Sequence, residues 1–291
     1  MEIPYFPGCT LRTKAKGFDN SARASMRALG IELVELADWN CCGATFPLSV
    51  DNLLALSGPA RVLVSARAEG ERLAVACSAC YNVLKRTNRL FREDPESREK
   101  LNLFIEADYQ GDLKVVHLLE LLRDEIGFEE VGAAVKKPLE GLRVAPYYGC
   151  MLLRPPKEVA FDDPENPQVM DELLRSLGAE VVDFSHKVEC CGSYLAIKSA
   201  EVTSEMSYAV LASAERNGAQ ALATSCPLCQ FNLDYHQREM ARRHTNFKPI
   251  PVFFFTQLLG LALGLGSVDY EFEKHYVDPR PLLKKGRLRP E

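Results

Sequence analysis

No apolar run in this sequence is long enough to cross a membrane. The longest, Val252 to Leu265, has 14 residues and is interrupted by Thr256 and Gln257, whereas a bilayer-spanning helix takes about 20. Its first part is aromatic and β-branched and its second is rich in leucine, glycine and alanine, which predicts a buried strand feeding a buried helix. An excess of basic residues is also missing: 35 Lys and Arg stand against 40 Asp and Glu, a net charge of −5. With no basic face and no aromatic stacking motif, nucleic acid is excluded as a partner. Met1 to Tyr5 has neither the basic segment nor the apolar stretch of a secretory signal, so a cytoplasmic location is expected. No flavin, nicotinamide or phosphate-loop fingerprint is present, and electrons therefore have no visible way in except through a partner. Core-forming residues are not short: 47% of 291 residues are apolar, enough for one large or two medium domains without disulfide staples.

What is abundant is cysteine, in one spacing used twice. Cys9, Cys41-Cys42 and Cys77-x-x-Cys80 are matched by Cys150, Cys190-Cys191 and Cys226-x-x-Cys229, with none left over. Thirty-four residues separate Cys42 from Cys77, and again Cys191 from Cys226; both doublets are followed by glycine, Gly43 and Gly192. The repeat extends beyond the cysteines. Each half opens with an apolar run ending in Gly-Cys, at Ile3–Cys9 and Val144–Cys150. A helix ending at glycine and a strand come next, 22–29, Gly30 and 31–36 in one half, 169–177, Gly178 and 180–184 in the other. Further helices are expected over 53–68 and 202–217, then short apolar runs into each C-x-x-C, then helices over 81–91 and 230–243. Strand and helix alternate throughout. The expected fold is α/β, two tandem homologous domains, each with a mainly parallel sheet flanked by helices. The expected boundaries are 1–140 and 141–266, with 267–291 an extended tail. In such sheets ligands gather outside the carboxyl ends of the strands, where the Gly-Cys and C-x-x-C elements fall.

Each half thus offers five thiolates to one site. Structural zinc takes four ligands in a closed tetrahedron and would leave one cysteine spare in each half. An ordinary cubane 4Fe–4S cluster also takes four, so five means either a free thiol poised beside it or a cluster that is not a cube. A thioredoxin-type site explains one C-x-x-C and no other cysteine. Holding both members of an adjacent pair in one site demands a tight turn, for which Gly43 and Gly192 supply a positive φ.

The strings Tyr5-Phe6-Pro7-Gly8-Cys9, Asp38-Trp39-Asn40-Cys41-Cys42-Gly43-Ala44, Tyr147-Tyr148-Gly149-Cys150 with Arg154-Pro155-Pro156, and Ser225-Cys226-Pro227-Leu228-Cys229-Gln230-Phe231-Asn232-Leu233 together resemble the B subunit of heterodisulfide reductase (HdrB), of the cysteine-rich CCG-domain family. The resemblance covers residues 1 to about 266. It implies two non-cubane 4Fe–4S clusters, one held by Cys9, Cys41, Cys42, Cys77 and Cys80 and the other by Cys150, Cys190, Cys191, Cys226 and Cys229. It also implies that a small disulfide, such as the mixed disulfide of coenzymes M and B, is reduced or formed at those clusters. Electrons would come from the ferredoxin-like C subunit of that complex, which carries cubane 4Fe–4S clusters, and from its flavoprotein A subunit. Two other functions fit the same cysteines: an electron-transfer subunit of another redox complex (acyl-CoA reduction, sulfur oxidation or a flavin dehydrogenase), and a zinc-stabilised scaffold.

Around the cysteines, Arg12, Lys14, Lys16, Arg154, His186, Lys187 and Lys198 stand close enough in sequence to attract an anionic substrate, the alternative being a solvated face. His117 is expected to be a core histidine and Trp39 a packing residue, with cluster shielding as its alternative. Phe161 to Pro167 reads as a loop opening the helix at Val169, since it lacks calcium-loop spacing. For the Val252–Leu265 element a membrane-interface or partner-binding helix is the alternative to a core element, and this element or the charged tail is the candidate for the partner interface.

Overall fold

Every strand in the computed structural model, which describes residues 1–44 and 52–285, runs parallel to its neighbours. In the N-terminal half β1 (Glu2–Phe6) is followed by α1 (Gly8–Thr13), α2 (Lys16–Ala28), β2 (Glu32–Glu35), α3 (Ser57–Glu69), β3 (Arg72–Val75), α4 (Ser78–Glu93), α5 (Pro95–Ile105) and β4 (Lys114–His117). After α6 (Leu118–Leu121) and α7 (Phe128–Ala133) the pattern restarts. The C-terminal half holds β5 (Arg143–Tyr147), α8 (Pro156–Val159), α9 (Val169–Ser176), β6 (Glu180–Val181), α10 (Ala200–Arg216), β7 (Ala221–Thr224), α11 (Pro227–Tyr235), α12 (Gln237–Arg243), β8 (Val252–Phe254) and α13 (Phe255–Ala262). The sheets have orders β2-β1-β3-β4 and β6-β5-β7-β8, the same topology twice.

Local sequence accounts for these elements. The apolar positions of α2, Phe18, Ala22 and Met26, recur at four-residue spacing and are buried on one face. Both α2 and α9 stop before a glycine at φ +84°, Gly30 and Gly178. Two further helix starts reproduce each other: the backbone N–H of His117 donates to Glu120 and that of Phe254 to Gln257, so the last strand of each half turns into its helix through a side chain three residues on. The expected single helix over 230–243 is divided at His236. There Gln237 is fully buried, and its amide is committed to Leu233 and to both backbone groups of Ile250. The strand expected over 180–184 contracts to two residues, and α5 and α7 add to the expected elements.

The halves pack by exchanging helices. α13 lies against α2: the rings of Phe18 and Phe254 stack at 4.3 Å, and Ser21 and Thr256 share a buried hydrogen bond of 2.7 Å. Val252 to Leu263 is buried throughout. The strand-then-helix expectation holds, but the element is covered by the protein's own α2 and is not free for a partner. Among the described residues no helix is long and apolar enough to cross a membrane.

The expected extended tail is a strap instead. Over 267–285 the chain carries α14 (Arg280–Lys285) and buries Tyr270, Phe272 and Leu283. The N–H of Gly17 donates to Glu271 at 3.0 Å, Asn20 to the Asp269 carbonyl at 3.0 Å and Gln257 to the Tyr270 carbonyl at 2.8 Å. Asp234 receives the N–H groups of Tyr276 and Val277. Buried apolar residues together with hydrogen bonds to α2, α11 and α13 hold this segment down. Residues 286–291 of the expected tail lie outside the described residues.

Candidate metal centre

Each thiol is placed by a strand end or a glycine turn. Gly8 (φ +74°) and Gly149 (φ +65°) bend the chain after β1 and β5 and so set Cys9 and Cys150 at the carboxyl ends of their sheets. A Cβ on Gly8 would sit 3.0 Å from Cys80 Sγ, so this glycine also leaves room for a second thiol. At the doublets, Gly43 (φ +78°) and Gly192 (φ +82°) take the positive φ expected of them. That turn folds their N–H groups back on sulfur: Gly43 donates to Cys41 Sγ at 3.4 Å and Gly192 to Cys190 Sγ at 3.3 Å. Cys77 and Cys226 cap α4 and α11, whose amino ends favour a thiolate.

All ten cysteines are free thiols, and they form one continuous line. Cys9 meets Cys41 at 3.6 Å, and Cys42 meets Cys80 at 3.2 Å. In the other half Cys150 meets Cys190 at 4.0 Å, and Cys191 meets Cys229 at 3.4 Å. The two members of each doublet and of each C-x-x-C pair also influence each other's ionisation, as do Cys77 and Cys226, which flank the Ser78–Ser225 bond between the halves. The order is Cys9, 41, 42, 80, 77, then 226, 229, 191, 190, Cys150. It reads the same from either end. Cys9 and Cys41 are exposed, Cys150 and Cys190 half-buried, and the six central thiols buried.

So dense a row cannot ionise freely. Cys42, Cys190 and Cys226 are held below the ordinary thiol range, first by hydrogen bonds from Cys41, Cys150 and Cys229. Cys41, Cys77, Cys80, Cys150, Cys191 and Cys229 are pushed above it, in each case first by a neighbouring thiol. Protons are shared along the line because ten adjacent negative charges would repel. A bound polycation removes that constraint, and soft thiolates select iron–sulfur or zinc. Among the described residues no three donors converge on one point as a single ion requires; they line a path. A donor set of this shape fits a polynuclear group.

The residues around the line divide. Asn232 donates to Cys191 Sγ at 3.8 Å, and Ser78 bonds Ser225 beside the central pair; neither was visible as a site residue, since an asparagine or serine next to cysteine carries no pattern of its own. Tyr194 reaches Met151 Sδ at 3.0 Å near Cys150 and Cys190. None of the seven basic candidates bonds to a cysteine among the described residues. Arg12 pairs with Glu35 at 3.3 Å, Arg154 is committed to the Val188 carbonyl and Glu165, and His186 is bonded to Ser185. Lys187 is buried, paired with Asp183 at 3.0 Å, and its carbonyl receives the N–H groups of Tyr148 and Gly149. It buttresses the Gly149–Cys150 turn. Lys14, Lys16 and Lys198 are exposed. His117 is fully buried and accepts from the Leu119 N–H at 3.2 Å, and burial depresses its pKa to about 3. Trp39 packs edge-on against Phe6 and donates to Glu35. Asp162 and Asp163 spend their carboxylates on the backbone of their own loop, as a helix-opening turn does.

The cysteine-rich domain CCG matches this chain twice, over residues 3–85 and 144–234. The chain belongs to the CCG family. A relative 33% identical is the 8-methylmenaquinol:fumarate reductase membrane anchor subunit of Wolinella succinogenes, with 97% of this chain and 99% of that protein covered. The B subunit of a ferredoxin:CoB-CoM heterodisulfide reductase from Methanosarcina mazei is 30% identical, with 98% and 96% covered. A protein of Archaeoglobus profundus described as like the heterodisulfide reductase B subunit is 31% identical over 89% of each chain. Among solved structures, a hypothetical protein from Helicobacter pylori shares the fold, with a TM-score of 0.74 at 14% identity; it covers 94% of this chain, which spans 51% of that structure. This CCG protein is therefore of the HdrB type.

Proposed function

We propose that this CCG protein is the catalytic iron–sulfur subunit of a heterodisulfide reductase-type complex, an oxidoreductase acting on a small disulfide or its thiols. The observation that carries this reading is the row of ten thiols, five from each half, whose two halves come together where Ser78 bonds Ser225 beside Cys77 and Cys226. Residues 1–140 and 141–266 are the two cluster-binding domains. Cys9, Cys41, Cys42, Cys77 and Cys80 hold one non-cubane 4Fe–4S cluster, and Cys150, Cys190, Cys191, Cys226 and Cys229 the other. When bound, such clusters supply electrons one at a time, and a disulfide needs two. The chain's own residues do the rest. Glycine turns aim the thiols, and the buried central pair keeps water from the middle of the row. The exposed Cys9–Cys41 end leaves an approach for a small sulfur compound. Electrons come from a ferredoxin-like C subunit and a flavoprotein A subunit, and the complex works in the cytoplasm.

The test is anaerobic reconstitution. Iron and acid-labile sulfide should reach about eight each per chain, two four-iron sets, and the dithionite-reduced protein should consume a disulfide. Cys42→Ser and Cys191→Ser should each abolish one half's share. Roughly two zincs and no sulfide would sink the proposal in favour of a scaffold. A second reading is favoured by the 33% identity to a fumarate reductase subunit: an electron-transfer subunit of another redox complex. Full iron and sulfide with no disulfide consumed, but reoxidation by fumarate through a reductase partner, would select it.

A further inference from the structure

Beside the central thiols, a pair of serines joins the two halves. Ser78, the first residue of α4, donates its backbone N–H to the Ser225 carbonyl at 3.0 Å. The two hydroxyls share a hydrogen bond of 2.6 Å, and both side chains are fully buried. Ser78 directly follows Cys77 and Ser225 directly precedes Cys226, so the link spans the shortest route between the two thiol sets. The repeat makes it one-sided. Position for position, Ala76-Cys77-Ser78 corresponds to Ser225-Cys226-Pro227. The reciprocal pair is therefore Pro227 and Ala76, in which the proline has no N–H and neither residue has a hydroxyl to offer. An approximately two-fold junction thus carries its bridge on one side only.

We infer that the Ser78–Ser225 pair is the positioning element that fixes the separation of the two thiol sets, and with it how strongly redox centres held in the two halves act on each other. The inference deepens the iron–sulfur reading above and rests on it for its redox part. Its structural part concerns the thiols alone. A backbone hydrogen bond plus a hydroxyl pair, both shielded from water, holds the junction against sliding in a way that apolar contacts do not. Because Cys77 and Cys226 each sit beside this bridge, a small shift there changes their separation before it changes any other in the row.

The repeat also supplies the variant. Ser78→Pro with Ser225→Ala installs on this side what the other side already carries. Proline is tolerated at the first position of a helix, and Cys77 (φ −84°, ψ 121°) already has the extended conformation a residue before proline requires. Ser78→Ala, which removes the hydroxyl and keeps the N–H, is the milder companion. Cofactor-free protein is oxidised mildly and its disulfides mapped by peptide mass. The yield of Cys77–Cys226 linkage should fall by more than roughly fivefold in the double variant, which loses two hydrogen bonds, and by about fivefold or less in Ser78→Ala, which loses one. Cys42–Cys80, within one half, should be unchanged. In iron-loaded protein with undiminished iron and sulfide, the magnetic interaction between the two centres should weaken in the same order. Equal linkage yields in wild type and double variant would overturn the inference. A fall in linkage yield without any cluster forming in wild type would leave the positioning role standing and remove the iron–sulfur reading instead. An unaltered magnetic interaction despite reduced linkage would refute the redox part.

Discussion

Gly8 and Gly149 hold matching places in the repeat and share a left-handed φ, yet their surroundings differ. A methyl group on Gly8 points at Cys80 Sγ, 3.0 Å away, while one on Gly149 meets the Tyr147 ring at 3.3 Å. Both alanine variants should lose about 1–2 kcal/mol for the backbone conformation, read by urea unfolding. Only Gly8→Ala should also displace a thiol, seen as a lost share of bound iron or as slowed modification of Cys80. If Gly149→Ala loses as much iron as Gly8→Ala, the thiol contact is not what matters. These positions were legible in the sequence because a glycine beside a cysteine at a strand end has few other uses. Nothing nearby in the chain hinted at Asn232 on Cys191 or at the Ser78–Ser225 bridge, because their significance comes from residues more than 40 positions away. The basic residues near the cysteines were misleading for a related reason. Nearness to a cysteine did not show that Lys187 and Arg154 are engaged by carboxylates of their own, Asp183 four residues and Glu165 eleven residues away.

α2 shows what the period of a helix reveals and what it hides. The part of its buried stripe at Ala22 and Met26 lies in the helix expected over 22–29, and the apolar Val252–Leu265 run is plain too; that the helix starts at Lys16, with Phe18 on its buried face, and that the two elements cover each other is not, since both would serve equally well against a sheet. The strap was hidden altogether. Val268, Tyr270 and Phe272 are separated by charged or polar residues in a segment whose composition reads as solvated; Phe272 meets Phe253, and the residues of α2 that hold the strap, Gly17 and Asn20, lie over 200 residues earlier. Gly17 is the residue that admits it. A Cβ there would lie 2.2 Å from the Tyr270 carbonyl oxygen, a backbone atom that cannot rotate away. Gly17→Ala should therefore lift the strap from α2, breaking the bonds from Gly17 and Asn20, at a cost of about 1–3 kcal/mol for overpacking. Hydrogen exchange should show faster amide exchange at 269–277 with the sheets still protected. Uniform loosening of the whole molecule, or none, would show that the contact does not anchor the strap.

At the scale of the whole molecule, His117 and Asp234, both buried, and the half-buried His275 contribute to how stability responds to acid, and they do not agree in sign. Burial depresses His117 to about 3 and His275 to about 4, from an ordinary 6.5, so both stay neutral in the folded protein while the unfolded chain takes up protons. Their stabilisation is complete above pH 6.5 and is lost as pH falls toward their folded values, at up to about 1.4 kcal/mol per pH unit each. Asp234 runs the other way. Burial raises it from 3.8 to about 6 against the hydrogen bonds from Val277, Tyr276 and Gln230, so the folded state holds its proton more tightly and stability falls as pH rises from about 4 to 6. Of these three, the two histidines act between pH 6.5 and 6, and below 6 Asp234 offsets part of their effect. The repeat again supplies a substitution, because Phe254 stands where His117 does, each on the strand end whose N–H is taken by the side chain three residues on. His117→Phe should flatten the acid limb of unfolding free energy between pH 6.5 and 3. Asp234→Asn should steepen it between 6 and 4 and loosen the strap where Tyr276 and Val277 bind. Parallel pH profiles for wild type and His117→Phe would mean that the histidine is solvated, and that the junction between the halves, where its ring faces Phe255 of the C-terminal half, is open to water.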